Sequence, residues 1–136
     1  MNILIDTGPI VAFLNKNDQY HRFVIEQMES FAAPFYTCEA VLTESFFLMS
    51  RISTGVEKLI ELLETQHIQL QPVYNDHQAA IHQRIQTYSN IPMSLADACL
   101  VHMAENSKGA SIFTLDSDFQ VYRTSKGDLL NVVTPF

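Results

Sequence analysis

Apolar positions along the chain fall into short unbroken runs and longer stretches at helical spacing. Asn2–Ile5 reads as a short strand. Gly8-Pro9 then turns the chain into a helix from Pro9 to about Leu14, since proline suits the first helical position. Asp18 is placed to cap a second helix, in which Tyr20, Phe23, Val24, Met28 and Phe31 recur at helical spacing. Pro34–Thr37 reads as the next strand, followed by a helix over Glu39–Arg51 that Ser53-Thr54-Gly55 breaks. A further helix, Val56–Thr65, carries Leu59, Ile60, Leu62 and Leu63. Ile68–Val73 alternates as a strand does, Asn75–Ser89 is helical, and Asn90-Ile91-Pro92 interrupts it. Ser94–Asn106 is a helix closed by Gly109, Ser111–Leu115 a strand, Asp118–Tyr122 a helical turn and Asn131–Val133 a last strand. Strands alternating with helices predict an α/β layer structure whose central sheet is mostly parallel and flanked by helices.

Length changes this picture little: 136 residues make one domain, 1–136, with no repeat or linker. Apolar content of 47% and charged content of 17% are those of a globular protein rather than a disordered tail. No apolar run reaches a membrane span and no cationic stretch precedes one, so a cytoplasmic location is expected. Cys38 and Cys99 are too few and too isolated for a disulfide framework or a zinc site, and read as small buried hydrophobes. None of the five histidines shows ligand spacing, so satisfied or solvent-facing rings are expected.

Charge changes it more. The net charge is −7, and five of the fifteen acids, Asp6, Glu44, Asp97, Asp116 and Asp118, stand where the frame gathers them. Asp6 ends the run Ile3-Leu4-Ile5 and Asp116 follows Ile112-Phe113-Thr114-Leu115. Open parallel sheets bind ligands outside the carboxyl ends of their strands, which puts both aspartates on one edge. Glu44 shares a helix face with Ala40, Val41, Phe47 and Leu48, a stripe expected to point inward. Asp97 lies in Ser94-Leu95-Ala96-Asp97, which fits a capping box, a role compatible with ligation. Carboxylates converging without lysine or arginine call for a cation, and hard oxygen donors select Mg²⁺ or Mn²⁺. The reading requires these oxygens to meet in a common cage. Two divalent ions would bring −7 to about −3, so the chain lacks a broad phosphate-binding surface. Arg123 and Lys126 follow the last acidic motif and are candidates to touch a substrate phosphate.

The ordered set of motifs resembles the PIN domains, and among them the compact VapC-like toxins of toxin–antitoxin pairs. The resemblance rests on Ile3-Leu4-Ile5-Asp6-Thr7-Gly8-Pro9, Leu42-Thr43-Glu44, Ser94-Leu95-Ala96-Asp97-Ala98 and Thr114-Leu115-Asp116-Ser117-Asp118-Phe119, and spans nearly the whole chain. It implies a three-layer PIN-like fold in which Asp6, Glu44, Asp97 and Asp116 are the catalytic, metal-holding acids. Asp118 would then be an auxiliary acid, Thr114 a hydroxyl lining the site, and Thr7 a small hydroxyl position. It further implies RNA cleavage with one or two Mg²⁺ or Mn²⁺ ions, a homodimer, and a small cognate antitoxin.

Other readings are weaker. Asp6-Thr7-Gly8 spells the aspartic-protease tripeptide, but those enzymes need two such aspartates on a β-rich frame. Receiver domains need an acidic pair after the first strand, and haloacid-type phosphatases an acid where Gly8 stands. The rivals that stay open are a non-catalytic RNA- or protein-binding module, a DNA nuclease or phosphatase, and an RNA-processing nuclease without an antitoxin.

Overall fold

The strands are short and almost wholly apolar, as strands covered on both faces are. A computed structural model describes residues 2–136. In chain order it has β1 (Ile3–Ile5), α1 (Thr7–Leu14), α2 (His21–Ser30), β2 (Phe35–Thr37), α3 (Glu39–Met49), α4 (Gly55–Glu64), β3 (Ile68–Leu70), α5 (Gln78–Thr87), α6 (Leu95–Glu105), β4 (Ser111–Phe113), a 3-10 turn at Ser117–Gln120, and β5 (Val132–Val133). The five strands form one parallel sheet in the order β3-β2-β1-β4-β5. Ile3, Leu4, Ile5, Phe35, Ile68, Ile112 and Phe113 are buried in it. The helices pack around it, α6 against β1 and β4, α4 against β3, and α1 against α2 and α3. The chain runs β1 to β2 to β3 in one direction, then crosses back to place β4 on the other side of β1. The strand order therefore reverses between β1 and β4, and a crevice opens there at the carboxyl edge.

Several elements differ from expectation. The first helix begins at Thr7, with Asp6 as its N-cap, so Pro9 is the third helical residue rather than the first. A proline costs nothing there because the first-turn N–H groups have no intrahelical acceptor. Asp18 does not cap α2, whose N-cap is Tyr20; its Oδ1 instead accepts the Tyr20 N–H at 2.9 Å in the turn before it. The 3-10 turn spans Ser117–Gln120 with Asp116 as its N-cap, starting one residue before the expected Asp118 and ending two before Tyr122. Third-strand pairing stops at Leu70, opposite Thr37 where β2 ends; the Gln71 N–H makes one last bond to the Thr37 carbonyl, and Pro72 has no N–H to continue it.

The inward face of α3 is also offset from the expected one. Val41, Ser45 and Met49 are its buried residues, Ser45 donating to the Val41 carbonyl at 2.8 Å, whereas Glu44 is exposed and Phe47 is 57% exposed. The Arg51 guanidinium lies over the Phe47 ring, 4.7 Å from its centre. Cys38 and Cys99 are buried and unbridged. His102 departs from the expectation of satisfied histidines: its Nδ1 is buried with no hydrogen-bond partner among the described residues, and the His77 ring lies 4.7 Å away. No helix of the described residues is long and apolar enough to cross a membrane.

Candidate active site

The register of β1 on β4 decides what meets at the crevice. Ile5 pairs with Phe113, so the next residues, Asp6 and Thr114, leave the sheet side by side. The Asp6 N–H donates to the Phe113 carbonyl at 3.0 Å, extending the ladder by one bond. The buried Thr114 hydroxyl donates to Asp6 Oδ2 at 2.8 Å and accepts the Asp116 N–H at 3.0 Å. Asp6 Oδ1 accepts the Thr7 N–H at 2.8 Å. One threonine thus ties residues from opposite ends of the chain into a fixed arrangement. Gly8 lets α1 approach closely, since a Cβ there would lie 3.2 Å from Leu115 Cβ.

Asp97 arrives from the start of α6. Ser94 and Asp97 form the expected capping box: Asp97 N–H donates to Ser94 Oγ at 3.0 Å, and Asp97 Oδ2 accepts the Ser94 N–H at 3.1 Å. The buried Tyr122 hydroxyl lies 3.0 Å from the Pro92 carbonyl and 3.3 Å from the same Asp97 oxygen. Burial, then the charges of Asp97 and its neighbours, push that phenol well above the usual tyrosine range. Glu44 reaches the site from α3, its Oε2 at 3.5 Å from the Thr7 hydroxyl, which also contacts the Val41 carbonyl at 3.4 Å. Thr7 therefore links α1 to α3 beside the crevice.

Asp6, Thr7, Glu44, Asp97 and Asp116 line a single cavity of about 590 Å³, together with Asp18. Five acids face it and no lysine, arginine or histidine does. Burial pushes the Asp6 carboxyl up to about 6; its bonds from Thr114 and Thr7 oppose this, and the nearby charges of Asp97 and Asp116 reinforce it. Burial is also the first cause of the raised Asp97 pKa, with Asp116 adding to it. The pocket concentrates negative charge that no protein cation offsets.

The expected common cage is not formed. Among the described residues, no three acidic, histidine or cysteine side chains are drawn together closely enough to enclose an ion. The acids share a cavity rather than a point. The donor chemistry nonetheless fits a hard divalent cation. Each Asp6 oxygen holds one hydrogen bond and keeps a lone pair, Asp97 Oδ1 and Asp116 Oδ2 carry no bond among the described residues, and burial, reinforced by the neighbouring acids, resists ionisation of Asp6.

Thr114 stands behind Asp6 rather than on the cavity wall, and Asp118 does not line the cavity either; its N–H donates to Asp116 Oδ1 at 2.9 Å. Arg123 and Lys126 are not brought to the site. The Arg123 guanidinium is held by the carbonyls of Gln120, Val121 and Tyr122, and Lys126 lines a separate cavity beside Arg84 and Glu105. The chain turns at the bridge between Arg123 and Leu129, which carries both away. Asp18 is an acid of the cavity that sequence reasoning assigned to helix capping alone. Its position just after α1, at the edge where the crevice opens, was the available signal.

A family model described as the PIN domain matches residues 3–124. The fold matches that of the Mycobacterium tuberculosis toxin VapC20, described as cleaving the sarcin–ricin loop, with a TM-score of 0.78 and 19% identity over 88% of this chain and 94% of that one. No curated protein matches the chain in sequence. With a model of the family covering all but its ends, the chain belongs to the PIN domain family.

Proposed function

We propose that the protein is a metal-dependent endoribonuclease acting in the cytoplasm as the toxin of a toxin–antitoxin pair. The observation that carries this reading is the cavity at the strand-order reversal, lined by Asp6, Glu44, Asp97 and Asp116 without a balancing base. Family membership and the fold shared with a toxin described as cleaving the sarcin–ricin loop support it.

Asp6, Asp97, Asp116 and Glu44 would hold one or two Mg²⁺ or Mn²⁺ ions. Such ions, when bound, acidify water for in-line attack on phosphorus and neutralise charge on the scissile phosphate. The chain's own work is positioning. Thr114 and the Thr7 N–H fix both oxygens of Asp6, and the capping box with Tyr122 fixes Asp97 Oδ2. That leaves Asp97 Oδ1 and Asp116 Oδ2 unbonded among the described residues, available to a ligand. Glu44 Oε1 and Asp116 Oδ2 are the open acceptors for the attacking water's proton. Asp118 supports the Asp116 turn and Thr7 supports Glu44. A homodimer and a small antitoxin whose arginine enters the acidic cavity complete the reading, since a guanidinium there would compete with the ions.

Cleavage of mixed single-stranded and structured RNA, with DNA and small phosphoesters alongside, tests it. RNA cleavage restored by Mn²⁺ after chelation, and lost in folded Asp6→Asn and Asp97→Asn variants, is expected. Full RNA cleavage by folded Asp6→Asn, or cleavage indifferent to chelator, refutes it.

A further inference from the structure

The acidic cavity has a neighbour of opposite character. A cavity of about 520 Å³ opens at the far end of the seam between α1 and α3. Along α1, Thr7, Gly8 and Val11 line the acidic cavity and Phe13 and Leu14 the other; along the α3 side, Leu48 gives way to Ile52 and Ser53. The loop between α1 and α2 serves both, with Asp18, Gln19 and Tyr20 on one and Asn15, Lys16 and Asn17 on the other. From Thr7 to Leu14 the helix rises about 10 Å at about 1.5 Å per residue, a span a short piece of extended single strand covers.

No acid lines this second cavity, while Lys16 and Lys58 both do. The ion pairs of the described residues are Arg22 with Glu26 and Arg84 with Glu105, so both ammonium groups keep their charge unspent. His21 Nδ1 lies 2.6 Å from the Ala12 carbonyl, which anchors the ring and makes Nε2 the open nitrogen. The Asn15, Asn17 and Ser53 side chains add neutral hydrogen-bonding groups on the same wall. In a chain of net charge −7, an acid-free wall bearing two unpaired lysines beside an acidic pocket is arranged for a polyanion whose scissile phosphate sits in that pocket.

The geometry points to a phosphate-holding subsite: Lys16 and Lys58, with His21 and the Asn15–Asn17 turn, grip the RNA backbone flanking the bond to be cut. This rests on the ribonuclease reading for its substrate, but it concerns binding and is tested by binding. It also accounts for how an acidic protein holds RNA without a broad basic face. The cations are few and confined to one end of the seam.

The test is fluorescence anisotropy of a mixed-sequence single-stranded RNA on the Asp6→Asn protein, across a salt series. At a slope of about 0.7 per phosphate contact on single strands, losing two contacts in the Lys16→Ala/Lys58→Ala double variant lowers the slope by about 1.4 and weakens low-salt binding on the order of tenfold. Lys108→Ala, in the turn between α6 and β4 and lining neither cavity, should change neither. With Asp6 restored, the double variant should turn over bis(p-nitrophenyl) phosphate, which fills only the acidic cavity, at the unaltered rate. An unchanged slope, or one shifted equally by Lys108→Ala, overturns the subsite. So does lysine-dependent binding of a polyglutamate peptide with the RNA slope unaltered, which would assign the wall to an acidic protein segment. A slope that falls as expected in a protein that cleaves no RNA supports the subsite while refuting the nuclease reading.

Discussion

Replacing Asp6 by asparagine should stabilise the protein while destroying its activity. Asp6 is 8% exposed and its carboxyl is pushed from the ordinary 3.8 to about 6 by burial and by the charges of Asp97 and Asp116. Each tenfold in an ionisation equilibrium is about 1.4 kcal/mol, so holding Asp6 ionised at neutral pH costs about 3 kcal/mol relative to the unfolded chain. Asparagine removes that cost. It also replaces one acceptor oxygen with a donor, disturbing either the Thr114 or the Thr7 bond for about 1 kcal/mol. The net expectation is a gain of about 2 kcal/mol at pH 8 in chelator, or roughly 6 °C in Tm for a chain of this size. The sign follows from the raised pKa. Below 3.8 the carboxyl is protonated in both states and the two proteins match, apart from the altered hydrogen bond. As pH rises from 3.8 past about 6 the native protein progressively loses stability that the variant keeps, and above that the gap is constant. Urea unfolding of both proteins at pH 4, 6 and 8 measures the gap. A gap that does not open with pH, or a variant less stable at pH 8, refutes the claim that burial and the neighbouring acids hold the Asp6 carboxyl above its ordinary range.

Three further outcomes follow from the same contacts. Mn²⁺ at a hundredfold its dissociation constant should stabilise the native protein by about 2.7 kcal/mol, and calorimetry should find this gain absent in Asp97→Asn. Thr114→Val keeps the shape but orphans the Asp116 N–H and frees Asp6 Oδ2; a loss of about 1–3 kcal/mol in denaturant titration, with cleavage sharply reduced, is expected. Ser94→Ala removes half the capping box; thermal unfolding should register about 1 kcal/mol, and RNA cleavage should fall further than stability does, because the same serine fixes Asp97.

What the sequence made legible was periodicity and order. Short apolar runs gave the strands, helical spacing gave the helices between them, and their alternation gave a parallel sheet, which placed Asp6 and Asp116 on one edge. The capping box at Ser94 was readable because it is local. Less visible was anything set by tertiary rotation or by a turn's direction. Glu44 was assigned to an inward stripe, but α3 is rotated so that Ser45, its hydroxyl satisfied within the helix, takes the buried place. Asp116 rather than Asp118 takes the cap of the 3-10 turn, its Oδ1 accepting the Asp118 N–H while its own N–H is held by Thr114, whose hydroxyl is in turn tied to Asp6 from the far end of the chain. Arg123 and Lys126 looked close to the site by sequence distance, but the chain turns away after Tyr122. Asp18 was missed because a capping role explained it sufficiently.

The bond between Thr114 and Asp6 joins residues 108 positions apart. While the polypeptide emerges from the ribosome, its leading portion carries Asp6, Glu44 and Asp97 but has no fourth strand to align them. Burial of Asp6, its orientation, and the whole Asp116 turn wait for the last quarter of the chain, since so distant a pairing forms late. A truncated or half-made copy therefore holds the acids without the contacts that bury and orient Asp6.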